Sequence, residues 1–330
     1  MLSACSSGAQ PQQSNSPLPS GPGWKVEAVI PVSSSVGAPV VAGGLVWVPN
    51  MAAGTISAID IAQERILRTI SIGDAKTLVA EGCGASSVHA VPHGSFDIRR
   101  CDLPSAAAYG DGSLWVIQND RRALLRLDAV SGRRLAAVPL GIEPFGLATG
   151  AAGVWVTDFQ HDSVVHVDAQ SNTVVATITH LPGGPTGVAE GPGSVWVACA
   201  RAGVVARIDP TANRVVAQVG VAKSPLPVAV AFGSVWVRSE EAHTLARIDP
   251  TSNQVEATMD VAPSEGRDGL DQMGVDRSGL WLSGLRVTHI DAATNRQDRG
   301  LNLNAVALEY SAGRLWLAGI LGTLSRVQVG

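Results

Sequence analysis

An all-β, seven-bladed β-propeller of four-stranded blades, closed by pairing the two ends of the chain, is predicted by three observations on the 330-residue sequence. A short phrase recurs seven times, most cleanly as Gly193-Ser194-Val195-Trp196-Val197 and Gly233-Ser234-Val235-Trp236-Val237, with further copies around Trp47, Trp115, Trp155, Trp281 and Trp316. The intervals between these tryptophans are 68, 40, 41, 40, 45 and 35 residues, a period of about 40 with two insertions, which is the signature of a repeat architecture. An aspartate stands 13 residues after five of them, at Asp60, Asp128, Asp168, Asp209 and Asp249, with Asp291 and Gln328 in the two shorter last copies.

Within one unit, residues 185 to 220 show the strands in order. Pro185 to Ala189 is an apolar run, Gly191-Pro192-Gly193 a turn, Ser194 to Ala198 the second strand, and Val204 to Ile208 the third. Asp209-Pro210-Thr211-Ala212-Asn213 is an Asx-type turn leading to the fourth strand, Arg214 to Val219. Val- and Ile-rich runs bounded by Gly, Pro, Asn and Asp are strand and turn signals, and four strands per repeat, seven times over, make a propeller. A lone blade cannot bury its faces, so each supplies the wall its neighbour needs. The equivalent tryptophans are therefore read as inter-blade anchors, and the repeated aspartates as turn formers without a catalytic role.

Residues 24–330 are expected to form the single propeller, and 1–23 a tether. Leu2-Ser3-Ala4-Cys5 resembles the lipobox of bacterial lipoproteins, with Cys5 as the lipidated residue. This reading takes the signal peptide to lie outside the sequence, and a chance match is its alternative. The Ser-, Gln-, Pro- and Gly-rich stretch to Gly23 suits a flexible linker. Trp24 to Val32 reads like the fourth strand of a blade, whereas the seventh copy stops at its third, Thr323 to Val327. The N-terminal strand is thus expected to complete the last blade and remove its open edge.

The insertions, 74–104 and 262–272, both join a fourth strand to the next first strand and so emerge on one face. Cys83 and Cys101 in the larger are read as a disulfide closing that loop; a zinc site made with His89 and His93 is the alternative, although the spacing matches no finger pattern. Cys199, at a strand end, is read as a buried thiol. The net charge of −4 offers no basic footprint for nucleic acid, and no apolar run is long enough for a spanning helix.

Residues three after each tryptophan end the second strands on the insertion face. These and neighbouring loop residues give a candidate ligand-binding set of Asn50, Gln118, Asn119, Glu143, Phe145, Asp158, His161, Arg238, Glu240, Arg267 and Asp271; solvated loop tips are the bland alternative for each.

The phrase Gly-x-Val-Trp-Val with the downstream x-Arg-Ile-Asp-Pro-Thr-x-Asn-x-Val, as in 193 to 219, resembles the YncE-like (YVTN-type) propeller repeats and their relatives the streptogramin B (virginiamycin B) lyases, over essentially residues 24 to 330. The lyases imply metal-dependent chemistry with histidine as acid and base. Their repeats tend to show Pro-His before the first strand and Trp-Phe-Thr-Glu on the second. Here the residues at the matching positions are Phe145, Thr186 and Val228, and only Trp155-Val156-Thr157-Asp158 echoes the second motif.

Three functions are therefore weighed. A non-enzymatic, extracytoplasmic and lipid-anchored module leads; it would bind a protein, peptide, envelope component or small molecule, need no cofactor, act as a monomer and touch the membrane only through its anchor. The second is a metal-dependent lyase or lactone hydrolase using Mg or Ca, for which Asn50, Asn119, Asp158 and Glu240 are weak candidate ligands. The third is a scaffold that uses the sides of the ring, for which exposed blade edges with few charges would be the sign.

Overall fold

The computed structural model describes residues 20–33, 36–73, 106–264, 272–319 and 321–329. Cys5, Cys83, Cys101, His89, His93, Arg267 and Asp271 lie outside these described residues. Seven antiparallel sheets form the ring, spanning 40–71, 107–139, 147–178, 185–220, 225–260 and 273–301 in blades 1 to 6, and blade 7 combines 307–329 with the N-terminal strand Trp24–Pro31. The first strand of each blade touches those of its neighbours all the way round, including blade 7 against blade 1, so the first strands surround the ring axis and the fourth strands form the rim.

The ring closes as expected. Trp24–Pro31 pairs antiparallel with Thr323–Val329, Trp24 opposite Val329 and Pro31 opposite Thr323. A short hairpin, Ser20–Gly21 on Trp24–Lys25, continues the sheet at its outer edge.

The core lies between blades. In blades 1 to 5 every residue of the second strand is buried. Each repeat tryptophan packs into the following blade: Trp47 against Leu114 and Val116, Trp196 against Val235 and Val237, and Trp316 across the closure against Val46 and Val48. Large indoles at equivalent positions thus tie each sheet to the next, and burial of this kind dominates core energetics.

The repeat aspartates are turn formers, as read from the sequence. Asp168 Oδ1 accepts from Gln170 N, Ser171 N and Ser171 Oγ at 3.1, 2.6 and 2.7 Å. These bonds, led by Ser171 N, hold its carboxyl below the usual carboxylate range. Asn172, Asn213, Asn253 and Asn295 end their turns at φ of 58°, 49°, 57° and 56°, in the left-handed region that asparagine tolerates better than most residues.

A second recurring lock was only half visible in the sequence. Arg126, Arg207 and Arg247 on the third strands lie over Trp115, Trp196 and Trp236 at 5.2, 5.2 and 5.1 Å. Each donates Nε to the serine two residues before its tryptophan, and Nη1 to a turn asparagine of the next blade. His166 takes the same place in blade 3: it stacks on Trp155 at 4.0 Å, and its ring nitrogens meet Asn213 Oδ1 at 2.7 Å and the Ala152 carbonyl at 2.9 Å. In blade 6, His289 occupies the place and Arg299 covers Trp281 instead.

Candidate functional site

Of the residues three after each tryptophan, Gln118, Asp158 and Ser239 hold the linker entering their own blade. Gln118 Nε2 donates to the Ile72 carbonyl at 2.7 Å, just before the 74–104 insertion. Ser239 Oγ donates to the Ala222 carbonyl at 3.1 Å. Asn50 instead braces its own hairpin, Nδ2 donating to Thr55 Oγ1 at 3.0 Å and Ser57 Oγ at 2.8 Å. Asn50, Gln118, Asp158, Cys199 and Ser239 are all buried. Being buried, they do not form an open polar funnel: Gln118, Asp158 and Ser239 point into the joints between linkers and strand ends, and Asn50 into its own hairpin. Cys199 is a free buried thiol, pushed up to about 12 by burial, which keeps it in the unreactive thiol form.

Two of the candidates stand at the root of the second insertion. Arg238 is fully buried, with Nη1 donating to the Ser283 carbonyl at 2.6 Å, Nη2 to the Ala262 carbonyl at 3.0 Å, and Nε 3.0 Å from Glu240 Oε1. Glu240 in turn accepts a hydrogen bond from Ser264 Oγ. Second-strand termini therefore fix the roots of both insertions.

A third group draws together four of the candidates on blades 2 and 3. Asp158 is buried; its Oδ2 accepts from Glu143 N at 3.0 Å, and its Oδ1 from Gln160 N and His161 N at 3.0 and 3.1 Å. His161 Nδ1 lies 2.9 Å from Asp158 Oδ2, while the rest of its side chain is mostly exposed. The Asp158 carboxylate and the turn amides thus hold the exposed imidazole ring in place. Beside this pair, Glu143 meets Arg122 at 2.7 Å. Phe145 tilts against Phe159 with ring centroids 5.8 Å apart, and Arg201 lies over Phe159 at 4.7 Å while pairing with Asp162. Asn119 belongs to the adjacent blade 2 turn, its carbonyl accepting from Arg122 N at 3.0 Å.

His161 and Asp158 are both in the candidate set from the sequence, but their contact is not marked there by a proline or a blade entrance. The signal was Asp158-x-x-His161 in a turn between second and third strands, a spacing that lets one carboxylate cap the turn and hold the ring.

The metal candidates come from four different blades. Asn50, Asn119, Asp158 and Glu240 sit on blades 1, 2, 3 and 5, and Asp158 and Glu240 already have the partners given above. Among the described residues no three His, Cys, Asp or Glu side chains converge as a cation site would require.

No family model matches the chain, and no curated protein matches it. Solved structures do. A streptogramin B lyase superposes with a TM-score of 0.69 at 15% identity, over 91% of this chain and 95% of that one. The selenomethionine-substituted virginiamycin B lyase of Staphylococcus aureus gives 0.72 at 13% identity, over 93% and 100%. The hydrazine synthase of Kuenenia stuttgartiensis gives 0.69 at 13%, over 98% and 99%. The chain thus has the streptogramin-lyase-like, seven-bladed propeller fold. At these identities the likeness is one of fold, and function must be argued from the site.

Proposed function

We propose that this propeller is an extracytoplasmic, lipid-anchored module that binds a protein, peptide or envelope component without catalysis, through the face bearing the two insertions. The supporting observation is the fixing of the insertion roots: buried Gln118 grips Ile72, and buried Arg238 with Glu240 grips Ala262 and Ser264. Loops carried on a rigid scaffold are the usual bearers of recognition. The anchor reading rests on Leu2-Ser3-Ala4-Cys5 and the Ser-, Pro- and Gln-rich stretch after it.

Photo-crosslinking in native envelopes tests the proposal. A photoreactive residue at Arg267 or Asp271 should give discrete adducts, and one at Ala293, on the turn side of blade 6, should not. Equal labelling from both sites, or none from the insertion, overturns the reading. Mass analysis of the N-terminal peptide should show a diacylglyceryl group on Cys5, and an unmodified thiol removes the anchor.

A second reading, as a lyase or lactone hydrolase, is favoured by one observation: buried Asp158 lies 2.9 Å from Nδ1 of exposed His161, a carboxylate–imidazole pairing of the kind a general base uses. Metal analysis with a thermal shift on adding EDTA and then Mg²⁺ or Ca²⁺ separates the two. A stoichiometric ion whose removal lowers the melting temperature would favour the enzyme. No ion and no shift would favour the binding module.

A further inference from the structure

On the blade 7 side of the joint between blades 7 and 1, a row of side chains crosses the sheet from axis to rim: Glu309, Trp316 and Arg326 stand opposite one another in register. Directly opposed residues share a face, and Trp316 packs on Val46 and Val48 of blade 1, so the whole row faces that blade. The place of Glu309 is held by valine, alanine or glycine in the other six blades. In blade 6 a Cβ added to Gly274 would come within 2.7 Å of Leu308 Cδ1 of blade 7. The same place in the closing joint admits a whole carboxyl side chain, so that joint is the more open of the two beside the axis.

Blade 1 answers with polar groups. Ser57 stands opposite Val48, and Asn50 lies two residues beyond Val48, so both are on the face toward blade 7. Leu125, Val165, Ala206 and Ala246 hold the place of Ser57 in blades 2 to 5. Asn50 is buried; its Nδ2 is used, but its Oδ1 has no hydrogen-bond partner among the described residues. Among the same residues no donor or cation meets the Glu309 carboxyl, and burial alone acts on it, pushing it up to about 7.

The charged groups around the joint are engaged elsewhere. Arg314 and Arg326 are bound to Glu27, and Arg326 also to Glu64, so these four neutralise one another. On blade 1, Val40–Ala42 and Leu45–Asn50 carry no charge. Asp60 caps its own turn through Ala62 N and Gln63 N, Arg65 bonds Gln63, and Arg68 reaches the Ser131 carbonyl of blade 2. The first strand of blade 6, Met273–Val275, is uncharged, as is the rest of Ala307–Ser311.

We propose that the joint between blades 7 and 1 is a proton-operated opening in the ring: it parts as a local unit, freeing Trp24–Pro31, when Glu309 ionises. Closed, the joint holds a neutral acid against apolar side chains, where an unpaired carboxylate is costly; parted, it lets water reach the carboxylate. Blade 7 is completed by pairing of the two ends of the chain, so parting here breaks no covalent connection and leaves blades 2 to 6 whole. Opening releases a proton, because the carboxyl returns from about 7 toward its ordinary 4.5. The opening equilibrium is therefore constant below 4.5, rises with pH, and levels off above about 7.

Hydrogen–deuterium exchange of the full chain at pH 6 and pH 8, read by mass spectrometry and corrected for the intrinsic exchange rate, tests the proposal. Peptides covering Trp24–Pro31 and Thr323–Val329 should lose protection by up to about tenfold at pH 8. Those covering Ser194–Cys199 and Ser234–Ser239, in blades 4 and 5, should keep theirs. Glu309→Gln should abolish the loss at the joint. Glu309→Ala, which places there the residue of blades 2 to 5, should do the same and is the second variant should Glu309→Gln not fold. Equal loss of protection in all blades overturns the proposal, because the opening would then be global. So does protection at the joint that is the same at both pH values, or a pH dependence that survives both variants.

Discussion

Arg207 lies over the indole of Trp196 with Cζ 5.2 Å from the ring centroid, and from there its Nη1 reaches into blade 5, to the Pro250 carbonyl at 2.7 Å and Asn253 Oδ1 at 3.0 Å. One guanidinium thereby covers the anchor of its own blade and ties off the turn of the next. Arg207→Ala should lower stability by about 2 kcal/mol, combining a cation–π contact with the loss of partners for carbonyl and amide groups. Arg207→Lys should recover less than half of this, because an ammonium cannot reproduce the planar fork. Urea denaturation of the two variants checks both values, and near-equality of Arg207→Lys with wild type would refute the geometric account.

Glu309 is the odd member of an inner ring. It sits opposite Trp316 in register, where the other first strands place Val40, Ala108, Ala148, Ala189, Ala229 and Gly274 opposite their tryptophans. Burial pushes its carboxyl up to about 7 from 4.5. The folded state therefore favours the neutral acid. The stability penalty is absent below the unfolded value of 4.5, grows as pH rises, and is complete above about 7. Glu309→Gln should raise stability at pH 8 by on the order of 1 kcal/mol, a figure reduced for the water that still reaches this half-buried group, and change it little at pH 4. Melting temperatures at the two pH values decide this, and an equal effect at both would contradict it.

Asp276 behaves oppositely. Burial alone would raise its carboxyl, but Ser278 N, the charge of His289, Trp281 Nε1 and Gly279 N together hold it at about 2. Stabilisation from this group is present above the unfolded value of 3.8 and is lost as pH falls through about 2. Asp276→Asn should cost about 2 kcal/mol at pH 7, and the gap to wild type should close on acidification. A gap that stays constant between pH 7 and pH 2 would show that packing, and not charge, sets the effect.

Fold and turns could be read from the sequence because they repeat. Trp, the Asp 13 residues on and the turn Asn recur in step, so a single physical role explains each series. Even the serine two before Trp196 and Trp236, and the arginines at 207 and 247, were visible as matching positions, though not that they join across blades. The site residues occur once each. Gln118 and Asp158 hold equivalent positions, yet one grips Ile72 and the other caps Glu143 and orients His161. Their work depends on the linker each happens to meet, which no periodicity encodes.

The ring depends on one non-covalent seam, and the last prediction concerns it. Trp24–Pro31 buries Val26, Ala28 and Ile30, and its Glu27 lies 2.8 Å from Arg314 Nε and 2.9 Å from Arg326 Nε. The hydrogen bond from Arg314 is the main force lowering the Glu27 carboxyl. Arg326 also donates to the Ile61 carbonyl of blade 1 at 2.8 Å, so the strand, blade 7 and blade 1 share one network. Removing 24–32 would forfeit about 4–6 kcal/mol of apolar burial from the three buried residues alone and leave Thr323–Val329 as an open edge. The deletion should lower the melting temperature by more than about 10 °C or prevent folding. A synthetic peptide of residues 24–32 added in trans should restore part of the loss, because the seam is made by pairing and not by a covalent link. An unchanged melting temperature on deletion would mean that six blades and a three-stranded seventh suffice, and the closure would then be incidental to stability.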